Sequence, residues 1–156
     1  MIVGIDPGVK GGIAALGHRF PMVFPMPLHA DDIDVVSLQR LLRGASVVAL
    51  ERVHAMPGQG VSSMFTFGKG YGKVIAAIEL MDVPIVFITP QAWKAGLGIA
   101  GKKKKKKKDG LTSTDWCASN YPQVNLIPDR CRVPSDGLAD ALCIAHYYNR
   151  FFHRKE

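Results

Sequence analysis

Four carboxylates stand where they could share one task. Asp6 closes the apolar run Ile2-Val3-Gly4-Ile5 and precedes Pro7-Gly8, and Glu51 ends the run Ser46-Val47-Val48-Ala49-Leu50. Asp136 and Asp140 follow in Asp136-Gly137-Leu138-Ala139-Asp140-Ala141-Leu142. The first two would sit at strand ends. The last two, spaced i and i+4, would share one face of a late helix. They converge only if the strands are neighbours. Carboxylates gathered at one point repel each other unless cations lie between them, so the pattern predicts a divalent-metal site built from hard oxygen ligands.

Each acid also has a plainer explanation. Asp6 before Pro-Gly could simply form a turn, and Glu51 could be a solvated strand end. Asp136 could open a helix, where the macrodipole favours an acid. Asp140 lies among Leu138, Ala141, Leu142, Ile144 and Ala145, a setting that fits a surface acid less well.

The elements that must position these residues follow from local pattern. Ile2–Asp6 reads as a buried strand ended by a turn, and 11–16 and 19–26 read as the next two strands of an antiparallel meander. Apolar residues Ile33, Val36, Leu38, Leu41 and Leu42 predict a helix over 31–42 with Asp31 or Asp32 as its cap. Val47–Glu51 is apolar until its last residue and reads as a central strand. A long helix is predicted over 61–81, loosened by Gly68, Gly70 and Gly72. Its second half, apolar nearly all round, is either a dimer contact or core. A strand over 83–88 leads into a short helix with Thr89 as cap and Pro90 at its first position. Helices over 111–121 and 134–152 complete the chain. This order predicts an α/β, ribonuclease H-like fold. Its five-stranded mixed sheet has an antiparallel first half, flanking helices, and the first and fourth strands side by side at its centre.

Composition narrows the class. The chain has 156 residues, 47% hydrophobic and 21% charged, which suits one globular domain over 1–156. No apolar stretch approaches the roughly 18 residues of a membrane span. The first strand begins at Ile2 and leaves no room for a leader, so a cytoplasmic setting is expected. Cys117, Cys131 and Cys143 are odd in number and lack zinc-site spacing, so they read as reduced and either buried or incidental. The formal net charge of +7 equals the charge of one run of seven lysines, Lys102, Lys103, Lys104, Lys105, Lys106, Lys107 and Lys108. Such a run repels itself and predicts a mobile basic loop at about 101–110, either a phosphate-tracking arm or a solubilising insertion.

These pieces resemble the RuvC-like Holliday junction resolvases, especially the phage and poxvirus type. The matching segments are Gly4-Ile5-Asp6-Pro7-Gly8 with Gly11-Gly12, and Glu51 with the loop through Gln59-Gly60. They continue with Thr89-Pro90-Gln91-Ala92-Trp93-Lys94 and the Asp136–Leu142 stretch. They fall in the family's order across nearly the whole chain. The resemblance implies a homodimeric endonuclease of a bacterium or phage-infected cell that nicks two strands of a four-way DNA junction with Mg²⁺ or Mn²⁺. Asp6, Glu51, Asp136 and Asp140 would hold two ions per active site, about 3.5–4 Å apart, and the products would carry a 5′-phosphate and a 3′-hydroxyl. Many relatives have Asp or His three residues before the final Asp. This chain has Gly137 there and a carboxylate one position earlier, at Asp136.

The DNA-contacting residues expected on this basis are Gln59, Phe65, Phe67, Lys94 and Lys102–Lys108. Lys94 and the lysine run would face phosphates. A phenylalanine from Met64-Phe65-Thr66-Phe67-Gly68 would stack on a base at the junction centre, unless both are core or dimer-interface residues. His54 could assist proton transfer, although a lone loop histidine is commonly incidental. Competing functions are a ribonuclease H-fold nuclease on other branched DNA or RNA–DNA hybrid, a non-catalytic junction-binding protein, and an actin-like ATPase. The last needs two such domains where this chain has one.

Overall fold

The computed structural model describes residues 1–17, 19–54, 58, 60–99 and 110–153. Its strands are β1 (Ile2–Asp6), β2 (Gly12–Leu16), β3 (Met22–Pro25), β4 (Leu28–His29), β5 (Asp32–Ile33), β6 (Val47–Glu51) and β7 (Ile85–Ile88). Five of them form one sheet in the order β3-β2-β1-β6-β7, and β4 and β5 make a separate two-stranded ribbon. β1, β2 and β3 pair antiparallel, whereas β1–β6 and β6–β7 pair parallel. The predicted ribonuclease H-like topology is therefore present, with β1 and β6 adjacent at the centre.

Side-chain alternation along the strands splits the interior into two layers. Ile2, Ala14, Leu16, Val47 and Ala49 face one core with helix α5 (Asp136–Phe151), α4 (Ser113–Asn120) and α3 (Pro90–Leu97). Val3, Ile5, Ile13, Ala15, Val48 and Leu50 face the other, with α1 (Val35–Leu41) and α2 (Val61–Glu79). Because both faces are covered, β1 and β6 carry no polar alternate until their last residues, Asp6 and Glu51.

The helix caps follow their local chemistry. The Thr89 side chain accepts from Ala92 N, with Pro90 behind it in the first turn. Thr112 and Asp115 form a reciprocal capping box on α4, and the Ser135 hydroxyl caps α5. α1 departs from expectation. Its cap is Asp34, whose carboxylate accepts from Val36 N at 3.0 Å and Ser37 N at 3.2 Å, and not Asp31 or Asp32. Asp31 has a φ of +61° in the tight ribbon turn. Asp32 is extended in β5 and accepts from Lys69 and Lys73 of α2. The ribbon thus takes up the first turn expected of the helix.

α2 divides in two. Val74, Ala77 and Ile78 are fully buried against the sheet, so that face of the second half is core, while Leu80 beside it is 78% exposed. The first half stands out, with Val61 85% and Phe65 76% exposed. No helix among the described residues is long and apolar enough to cross a membrane.

Candidate active site

Parity places the first two acids on one side of the sheet. Asp6 follows Ile2 and Gly4 by steps of two, and Glu51 follows Val47 and Ala49, so both face the α5 layer. The parallel register pairs Ile5 with Leu50, and one step further along both strands come Asp6 and Glu51. Both are partly buried at the same edge of the sheet. Parallel pairing in the sheet's centre, not turn formation, is what brings these acids side by side.

α5 lies on this face at backbone distance, and glycines permit it. A Cβ at Gly4 would fall 2.5 Å from Ala145 N and 2.7 Å from Ala145 Cβ. One at Gly12 would fall 2.8 Å from the carbonyl oxygen of Gly137. Gly12 is the β2 partner of Asp6. The helix is thus pinned at Gly137 beside Gly12 and at Ala141 and Ala145 beside Gly4, and the partly buried Asp140 lies on the stretch of α5 between these contacts. Asp136 stands one turn earlier, exposed in the first turn.

Glu51 has two attachments that sequence reasoning did not assign. The buried indole of Trp93 donates from Nε1 to Glu51 Oε1 at 2.9 Å, and the Tyr71 hydroxyl donates to the Glu51 carbonyl oxygen at 3.4 Å. Burial raises the Tyr71 hydroxyl above its ordinary pKa. Tyr71 also stacks on Phe67, with centroids 6.4 Å apart and planes within 9°. The edge of Phe67 reaches the Gly8 turn, where a Cβ would stand 3.8 Å from Phe67 Cε2. The i, i+4 spacing of Phe67 and Tyr71 was the available sequence signal for this face. For Trp93 the signal was its place one turn after the Thr89 cap.

Lys94 Nζ lies 4.7 Å from the centroid of the Trp93 ring. Lys94 and Asp140 both act on the Cys143 thiol, the lysine lowering its pKa and the aspartate raising it. The larger effects on Cys143 are its hydrogen bond with Cys117 and burial, which push it far up. Cys117 and Cys143 are buried and Cys131 is exposed, all three free.

Phe65 is on the outstanding half of α2 and is not core. His54 is exposed in the loop after Glu51. Gln59 and Lys102–Lys108 lie outside the described residues.

The donor chemistry of Asp6, Glu51 and Asp140, all carboxylate, fits a hard divalent cation. Among the described residues, no three His, Cys, Asp or Glu side chains are grouped closely enough to hold one as they stand.

No protein-family model and no curated protein sequence matches the chain. Solved structures do. The structure of Thermus thermophilus RuvC aligns at a TM-score of 0.59 with 20% identity, over 96% of this chain and 95% of that one. The same protein in complex with Holliday junction substrate gives 0.59 and 17%, over 97% and 95%. The chain has the RuvC fold. The similarity to RuvC runs nearly end to end in both chains.

Proposed function

We propose that this chain is a metal-dependent, structure-selective DNA endonuclease that resolves four-way junctions by paired nicks, leaving 5′-phosphate and 3′-hydroxyl ends. The observation that supports the reading is that Asp6 and Glu51 end adjacent central strands on the sheet face against which α5, the helix carrying Asp140, packs. The RuvC fold, solved elsewhere with a Holliday junction, supports the choice of substrate. Fold alone would not, because one fold hosts many activities.

In this reading Asp6, Glu51 and Asp140 hold Mg²⁺ or Mn²⁺, with Asp136 completing the set from the first turn of α5. Two such ions supply activation of an attacking water and stabilisation of the leaving 3′ oxygen. Asp6, at the end of the central strand β1, would be the principal ligand of the set. Lys94, beside the site, faces a DNA phosphate, and Lys102–Lys108 track the junction arms. Phe65 and Phe67 meet unpaired bases at the crossover. Symmetric resolution requires two sites related by a two-fold axis, so the working form is a homodimer. The whole 156-residue chain acts as one nuclease domain.

The test is incubation with a synthetic four-way junction, a linear duplex and an RNA–DNA hybrid, each with Mg²⁺ and with a chelator. Metal-dependent paired nicks near the junction centre alone are expected. Cleavage of the hybrid would replace this reading with a ribonuclease H activity. Tight junction binding without cleavage would leave a binding protein.

A further inference from the structure

We infer that Trp93 is a positioning residue for the proposed metal site, acting through the Glu51 carboxylate. This rests on the reading of Glu51 as a metal ligand. β7 pairs with β6 so that Ile88 stands opposite Glu51, and Arg52 N donates to Ile88 O at 2.8 Å. The chain then turns at once into α3. Thr89 caps the helix, Pro90 occupies its first turn, and Trp93 N donates back to Thr89 O at 3.3 Å. One helical turn past the strand end therefore returns a side chain over Glu51.

The residue placed there is suited to hold a carboxylate still. Trp93 heads the fully buried side chains by size. It packs in the same core as Ile88, Leu97 and Leu142. An indole has a single N–H and no acceptor, and a buried tryptophan needs a partner for it. Here that partner is Glu51 Oε1 at 2.9 Å. Among the described residues no buried side-chain nitrogen or oxygen lacks a partner. The bond engages one carboxylate oxygen and restrains the rotation of the group that would ligate the ion. Groups that orient a ligand in this way are commonly worth about 10–100-fold in metal affinity. The ring, with few rotatable bonds and complete burial, transmits the rigidity of the core to the edge of the sheet.

The experiment is calorimetric titration of Mn²⁺ into the unaltered chain, Trp93→Phe and Glu51→Gln, with thermal melts of each in chelator. Trp93→Phe keeps most of the buried ring and removes only the donor. It is expected to melt within several degrees of the unaltered chain yet bind Mn²⁺ about 10–100-fold more weakly, while Glu51→Gln loses the site. Equal Mn²⁺ affinity in Trp93→Phe would overturn the positioning role and leave the metal site standing. Absence of Mn²⁺ binding by the unaltered chain, or undiminished binding by Glu51→Gln, would overturn the metal site and the inference with it. A second readout covers the case in which Trp93→Phe does not fold. Mg²⁺ titrated into the unaltered, isotopically labelled chain should shift the Trp93 indole N–H resonance in NMR spectra, with the midpoint of the calorimetric curve. The signal is assigned with Trp116→Phe, which removes the other of the two tryptophans. An indole resonance that ignores Mg²⁺ while the ion binds would overturn the inference.

Discussion

Gly137, at the start of α5, rests on Gly11 in the turn between β1 and β2. A Cβ on Gly137 would lie 2.7 Å from Gly11 Cα and closer still to the Lys10 carbonyl oxygen. Position 137, where the resemblance expects Asp or His, cannot carry a ligand in this packing. The acids on α5 are left at Asp136 and Asp140. The obstacle at Gly137 is backbone, which cannot rotate away as a side chain would. Overpacking of this kind costs about 1–3 kcal/mol, against which alanine's better helix propensity returns up to about 1 kcal/mol. Gly137→Ala is therefore expected to lose about 1–2 kcal/mol in urea denaturation. An unchanged or higher midpoint would mean that α5 is free to slide on the sheet.

Asp6→Asn tests the acid at the centre of the sheet. It removes a charge and almost no volume, so junction binding should persist in a gel-shift assay. Cleavage should fall at least about 100-fold, the scale of losing a main electrostatic contributor to the transition state. Full cleavage by this variant would take Asp6 out of the mechanism.

Deleting Lys102–Lys108 should flatten the salt dependence of junction affinity. Each phosphate that the deletion leaves without a lysine lowers the slope of log affinity against log salt by about 0.9. Affinity should fall most at low salt. An unchanged slope would make the run a passive insertion.

Asp32 bridges the β4–β5 ribbon to α2 through Lys69 and Lys73, each at 2.8 Å. These two lysines hold its carboxyl well below the ordinary carboxylate range. With the folded pKa depressed, the contribution to stability is complete above the unfolded pKa of about 3.9 and is lost as pH falls through the folded value. The stability gap between the unaltered chain and Asp32→Asn should thus hold steady from neutrality to about pH 4 and shrink below it. Because the pair is solvent-accessible, 1 M salt should also narrow the gap, at a Debye length of about 3 Å. A gap indifferent to both would assign the effect of the substitution to the shape of the ribbon.

The cysteines should react unequally. Cys131 is exposed, whereas Cys117 and Cys143 are buried with their sulfurs 3.7 Å apart. Their shared hydrogen bond and burial push the Cys143 thiol far up, and the thiolate is the nucleophile. A thiol reagent at neutral pH should label Cys131 alone in the native protein and all three after denaturation. Rapid native labelling of Cys143 would mean that α4 opens readily from α5.

Local pattern determined much of this protein. The apolar runs of β1 and β6 each end in an acid, and Thr89-Pro90 starts a helix by stereochemistry that needs no distant partner. Those signals were sufficient for the strands and their two-sided burial, because alternation follows from the strands themselves, whereas the sheet order was expected from the likeness of the element order to the ribonuclease H arrangement. Position relative to a partner far along the chain was not legible. Asp34 displaced Asp31 and Asp32 as a cap because the ribbon and two lysines of α2 claimed the earlier residues. Phe65 proved exposed because only the second half of α2 meets the sheet. Trp93 reaches Glu51 across 42 residues, and Gly137 meets Gly11 only once α5 has packed. Pairings of that kind depend on how whole elements dock. Docking is decided by the summed fit of two buried faces, which no short stretch of sequence contains.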